Sequence, residues 1–186
     1  MNKSKKQPKK TQAKSKGTSS PVKPFSWKTY KWRFSSLATL GPIGYFPKGS
    51  GTLGALIALP IAYILNRYCL PALLVVTLVL FGLGLLAVYK FTKNTTEKDP
   101  SCVIIDEVVG QLIPFLTLIP DFMHWPMLFL GFILFRFFDI YKFGTVVYWD
   151  RQKDPAGVML DDVSAGIWAG FFLSMTQVIM VEYFHM

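Results

Sequence analysis

Residues 70–89 (LPALLVVTLVLFGLGLLAVY) and 163–181 (VSAGIWAGFFLSMTQVIMV) run for 20 and 19 positions without a charged side chain. At 1.5 Å per residue, each is about the length a helix needs to cross the roughly 30 Å hydrocarbon core of a bilayer. Three further apolar stretches, 52–66, 108–120 and 122–135, are shorter. A helix of about thirteen residues rises only about 20 Å, so these are expected to be tilted, re-entrant or buried among the other helices. The pattern predicts an all-α polytopic helical membrane protein with four to five apolar helical segments.

Charge divides the chain in two. The sequence carries 20 Lys+Arg against 11 Asp+Glu, a formal +9. Eleven of the basic residues and none of the acidic ones lie in residues 1–33, so the remainder carries a net −2. Lys, Ser, Thr and Pro dominate that tail and offer little to bury, which predicts disorder over it. No apolar run follows its charges directly, so it does not read as a secretory signal. An aromatic cluster, Phe25, Trp27, Tyr30, Trp32 and Phe34, is interleaved with Lys28, Lys31 and Arg33 and reads as an interfacial segment at the headgroups. The expected organisation is therefore a Lys-rich tail and interfacial segment over 1–33 and a membrane-embedded domain over 34–186. With 52% hydrophobic residues and a mean hydropathy of +0.36, the chain as a whole does not suit a simple nucleic-acid binder. The natural partner of the tail is an anionic lipid headgroup layer. Two cysteines exclude a disulfide scaffold.

The positive-inside bias orients the chain. With the tail cytoplasmic and all five segments crossing, 19 of the 20 basic residues fall inside and Arg67 alone falls outside. Nine of the 11 carboxylates share the inner face, with Asp121 and Glu182 outside. Cys69 and Cys102 fall on opposite faces, so no disulfide joins them.

Ionisable groups at the edge of apolar segments are costly and call for partners. The first such cluster is Lys48-Gly-Ser-Gly-Thr-Leu-Gly54, at the head of an apolar helix. Its G-x-G-x-x-G match lacks a preceding strand, and a Walker A reading fails on spacing. Free N–H groups at a helix start, nearby hydroxyls and Lys48 can hold a phosphate; the alternative is a glycine turn and close helix packing. The second is Asp106-Glu107-Val-Val-Gly110-Gln111, where one carboxylate would suffice as a helix cap and two suit a metal or phosphate site. In the third, Arg136, Asp139 and Lys142 recur every third residue; either Arg136 and Asp139 pair with each other, or the cations meet phosphate oxygens and the carboxylate a metal. The fourth is Asp161-Asp162-Val-Ser-Ala-Gly166, a carboxylate pair taken to start a helix. Three carboxylate clusters and two cations on one membrane face suit an oxygen-ligated Mg²⁺ and a phosphorylated substrate. His124 and His185 fall on the other face.

Taken in order, GTLGAL at 51–56, IDEVVGQ at 105–111, RFFDIYK at 136–142 and DDVSAG at 161–166 resemble the phosphatidylglycerophosphatase A family. The resemblance covers about residues 34–186, which would make that region a phosphatase domain. It implies a mostly helical, Mg²⁺-dependent enzyme of the bacterial cytoplasmic membrane that converts phosphatidylglycerophosphate to phosphatidylglycerol. Carried over by position, Asp106, Glu107, Asp139, Asp161 and Asp162 are the catalytic and metal-binding candidates. Arg136 and Lys142, with Lys48, Gly51 and Thr52, are the phosphate-binding ones. The family commonly has Pro after that lysine, where this chain has Phe143, and the tail is longer than expected. Either a metal-activated water or a carboxylate serves as nucleophile. A CDP-alcohol phosphotransferase is disfavoured because its aspartate run is absent. A small transporter or scaffold would more naturally place its carboxylates at the membrane midplane.

Overall fold

The computed structural model describes residues 34–46, 49–92, 102–152 and 154–184. The tail, Lys48, Lys93, Lys98, Lys153 and His185 lie outside the described residues, and with them the expectations for the tail and for Lys48. A short helix, α1 (Phe34–Ala38), leads through a 3-10 turn at Ile43–Tyr45 into the long α2 (Ser50–Thr92). Pro71 has no N–H to donate, and its ring would collide with the carbonyl four residues back. The helix accordingly breaks at Cys69, whose φ of −159° and ψ of 75° are not helical. The two limbs then run back alongside each other. Gly54 on the first lies against Ile104, and Gly84 on the second lies against Ile105, whereas in a straight helix thirty residues would separate them by about 45 Å. The apolar stretches 52–66 and 70–89 are these two limbs.

The third stretch forms less helix than its hydropathy predicts. α3 (Ile105–Leu112) gives way to a 3-10 turn at Ile113–Leu116, where Pro114 interrupts the α pattern, and a second such turn covers Pro120–Phe122. Irregular backbone at membrane depth persists only where protein satisfies its polar groups. Asn66 Nδ2 donates to the carbonyls of Phe115 and Leu118, at 2.7 and 2.8 Å, and Gln177 Oε1 accepts from the N–H of Ile119 at 2.9 Å. Both side chains are buried. The chain returns along α4 (Trp125–Tyr141), crosses the bundle end in α5 (Thr145–Asp150), and descends again as α6 (Pro155–Phe184). The described residues form helices and connecting turns, with no strand among them.

By length and hydropathy, 50–90 and 155–183 are able to cross a membrane, and only 17% and 39% of their most apolar windows are buried within the protein. A core helix of a water-soluble domain would be mostly buried. Here Leu74, Val75, Leu78 and Val79 on α2, and Ile167, Phe171 and Val178 on α6, face outward. An apolar exterior of this extent marks an interaction surface, and lipid is the partner that suits it.

Burial against protein gains little over burial against lipid tails, so close packing through small residues carries the helix contacts. Gly166 on α6 meets the backbone of Gly110 on α3, and a Cβ at Gly110 would stand 2.6 Å from Phe135 and 2.7 Å from the carbonyl of Asp162. This crossing sets the distance between the head of α3 and the first third of α6. Gly82, by contrast, has open space around it. Alanine favours a helix over glycine by about 1 kcal/mol, so Gly82→Ala is expected to leave melting in detergent unchanged or raised. Gly110→Ala is expected to destabilise by about 1–3 kcal/mol through overpacking, read as a lower melting temperature.

Candidate active site

All four sequence clusters reach one end of the bundle. α2, α3 and α6 direct their N-terminal ends to it and α4 its C-terminal end. Together they line a cleft of about 260 Å³ bounded by Gly49, Ser50, Gly51, Asp106, Glu107, Arg136, Asp139, Lys142, Asp161 and Asp162, with Val103 and Val158. Thr52 stands one residue further along α2, outside that lining. The opposite end holds the exposed Arg67–Asp121 ion pair at 3.1 Å, His124 at the start of α4 and the exposed Cys69. Cys102 is buried just before α3, far from Cys69, and no disulfide joins the two.

Asp106 and Glu107 occupy the first turn of α3, where the helix dipole favours negative charge. Asp161 and Asp162 do not start a helix, contrary to the sequence expectation. α6 begins at Pro155, and it is Asp154 Oδ1 that accepts from the N–H of Gly157 at 2.7 Å. The pair therefore lies well inside α6, where capping gives no reason for it. Asp162 is brought inward by the Gly110–Gly166 crossing. Gly51 admits the other side: a Cβ there would occupy the place of the Glu107 carboxylate.

One oxygen from each of Asp106, Glu107 and Asp162 lies within 4.8 Å of the others. At that spacing and an effective dielectric constant of about 20, each pair of unit charges repels by about 3 kcal/mol. Three such pairs rival the whole stability of a typical domain, about 5–15 kcal/mol. The cluster must therefore bind protons or a cation. Glu107 Oε2 is buried without a hydrogen-bond partner. Three hard oxygen donors, one of them orphaned, fit a divalent cation such as Mg²⁺ or Ca²⁺.

Asp139 and Asp161 line the same cleft but face cations. Arg136 NH1 lies 2.6 Å from Asp139 Oδ2, a close ion pair whose alignment leaves that buried nitrogen without a satisfactory hydrogen bond. Lys142 does not continue the helix face shared by Arg136 and Asp139. It adopts a left-handed conformation (φ 49°, ψ 61°) that ends α4, and its Nζ reaches Asp161 Oδ2 at 2.7 Å and Asp150 Oδ1 at 3.2 Å. Burial alone would lower the Lys142 ammonium, but hydrogen bonds and attraction from Asp161 and Asp150 outweigh it and hold it above the usual lysine range. Phe143 packs edge-on against Trp168 with ring centres 5.7 Å apart. Asp150 escaped the sequence reading because a turn through Lys142 and Gly144 separates it from α4, so no single helix carries both partners.

This constellation has a family. Residues 36–177 match the family profile described as Phosphatidylglycerophosphatase A. The chain belongs to the phosphatidylglycerophosphatase A family. Membership makes it a phosphatase, and the four motifs of its sequence are the four that meet at the cleft. Among its relatives, an Escherichia coli protein named phosphatidylglycerophosphatase A is 29% identical over 67% of this chain and 72% of its own length. A Haemophilus influenzae protein of the same name is 34% identical over 68% and 77%. A Bacteroides thetaiotaomicron protein, provisionally named a phosphatidylinositol-3-phosphatase, is 38% identical over 72% and 87%. No solved structure matches.

The acidic cluster makes cation binding pH-dependent. Burial first, then the charge and hydrogen bond of Asp106 and the charges of Asp162 and Asp139, hold the Glu107 carboxyl well above its ordinary value near 4.5. A carboxyl raised in the folded state takes up a proton on folding, so without a cation stability falls as pH rises above that ordinary value. A divalent cation competes with the proton and binds better at higher pH. The melting-temperature increase produced by millimolar Mg²⁺ is expected to grow from about pH 6 to about pH 8, and to vanish in Glu107→Gln.

Proposed function

We propose that this chain is a Mg²⁺-dependent phosphatase that hydrolyses phosphatidylglycerophosphate to phosphatidylglycerol and phosphate in phospholipid biosynthesis. One observation carries this reading: a three-carboxylate cluster and two cations share one cleft at the end of helices with exposed apolar faces. The cleft is small beside typical ligand pockets of roughly 300–1,000 Å³, which suits a phosphoglycerol headgroup whose acyl chains stay outside. A membrane domain of four to five apolar segments, drawn from the two limbs of α2, the broken α3, α4 and α6, belongs to the same proposal. So does the bacterial inner membrane, with the N-terminus and cleft facing the cytoplasm and the Lys-rich tail at anionic headgroups.

In this reading Asp106, Glu107 and Asp162 hold Mg²⁺. Held there, such an ion would supply Lewis acidity toward a phosphate group and toward water. Arg136 and Lys142 take the non-bridging phosphate oxygens and stabilise charge as it develops there. Asp139 orients Arg136 and Asp161 orients Lys142. The backbone at Gly49–Gly51, at the positive end of α2, adds a further anion-favouring field. A water oxygen forms the new P–O bond as the P–O bond to glycerol breaks; a cleft carboxylate takes the water's proton and returns a proton to the departing glycerol oxygen.

The test is phosphate release from phosphatidylglycerophosphate in detergent, with and without EDTA. Release that needs Mg²⁺, is lost in Asp106→Asn and Asp162→Asn, and falls about a hundredfold in kcat in Arg136→Ala is the expected outcome. Undiminished release by those variants would sink the proposed site, and faster release from phosphatidylinositol 3-phosphate in a parallel arm would sink the substrate assignment. That second lipid is the reading favoured by the Bacteroides relative's name.

A further inference from the structure

Lys142 is held by two carboxylates that differ in kind. Asp161 comes from α6, its side chain is 13% exposed, and it lies 2.7 Å from Nζ. Asp150 ends α5, its side chain is 47% exposed, and it lies at 3.2 Å. α5 is itself fixed to α6: Val146 is fully buried in a cluster with Ala165 and Ala169, and Trp168 Nε1 donates to Thr145 Oγ1 at 3.3 Å. The short helix therefore presents Asp150 to the ammonium from its solvent side, while Asp161 grips it from within.

We propose that Asp150 is the exchangeable counter-ion of Lys142: it competes with a phosphate group for the open side of the ammonium and so sets how tightly the cleft holds phosphate. The inference rests on the reading of Lys142 as a phosphate ligand and names a residue that regulates that ligand. An ammonium has three N–H donors and no acceptor, so it can keep Asp161 while exchanging its outer partner. The longer, half-exposed contact is the weaker of the two, because solvent screens it. A phosphate dianion and the Asp150 carboxylate repel each other, and the one that leaves is the one on the screened side. The return of Asp150 to Lys142 then assists release of product phosphate.

The test is isothermal titration of the full-length, detergent-solubilised, Mg²⁺-loaded protein with inorganic phosphate. Asp150→Asn is expected to bind phosphate about two- to fivefold more tightly than the wild type, the range of a partly exposed ion pair. Its inhibition constant for product phosphate is expected to fall by the same factor. Asp150→Glu, which keeps the charge, is expected to behave as the wild type. Equal or weaker phosphate binding by Asp150→Asn overturns the inference. Failure of both wild type and variant to bind phosphate overturns it together with the phosphate reading of the cleft. Tighter binding by the variant in a protein that hydrolyses neither lipid supports the inference and sinks the lipid-substrate assignment alone.

Discussion

Mutual repulsion among Asp106, Glu107 and Asp162 is the constraint on which the rest of this molecule turns. Three carboxylates within 4.8 Å of one another, in a site from which water is largely excluded, are not a stable arrangement of bare charges. The fold nevertheless forces them together. α3 and α6 cross where Gly110 and Gly166 let the backbones touch, and α2 approaches through Gly51 and Gly54. Small residues at these crossings set the spacing, and the positive ends of α2 and α3 soften the charge. What remains uncompensated is the capacity to bind a cation.

The two cations of the cleft are engaged rather than idle. Arg136 faces Asp139 and Lys142 faces Asp161 and Asp150, so each cation already holds at least one carboxylate partner. At the opposite end the polar groups do other work. Asn66 and Gln177 satisfy backbone that the broken third segment would otherwise leave unpaired in an apolar setting. One end of the bundle thus carries chemistry and the other carries repair of an irregular helix.

Much of this was legible in the residues. Hydropathy located the two limbs of α2 and the body of α6, and the carboxylate pairs with Arg136, Asp139 and Lys142 pointed to the cleft. The break at Cys69 falls in the gap between the apolar stretches 52–66 and 70–89, although only contacts between distant residues show that the limbs fold back. Asp161 and Asp162 read as a helix start because apolar residues follow them, yet α6 begins at Pro155 with Asp154 as its cap. Local pattern could not distinguish these, since hydrophobicity marks where a helix enters lipid and not where it begins. Asp150 was invisible for a related reason: its partner lies across a left-handed turn, and turns erase helical spacing. The shortness of α3 likewise depends on Asn66 and Gln177, which come from elsewhere in the chain.

Anomalous diffraction from crystals grown with Mn²⁺ in place of Mg²⁺ tests the carboxylate cluster most directly. An anomalous peak bonded to oxygens of Asp106, Glu107 and Asp162 is the expected result. A peak elsewhere in the bundle, or a cluster that stays free of metal at saturating Mn²⁺ and neutral pH, would contradict the assignment of this cleft as the metal-dependent centre of the enzyme.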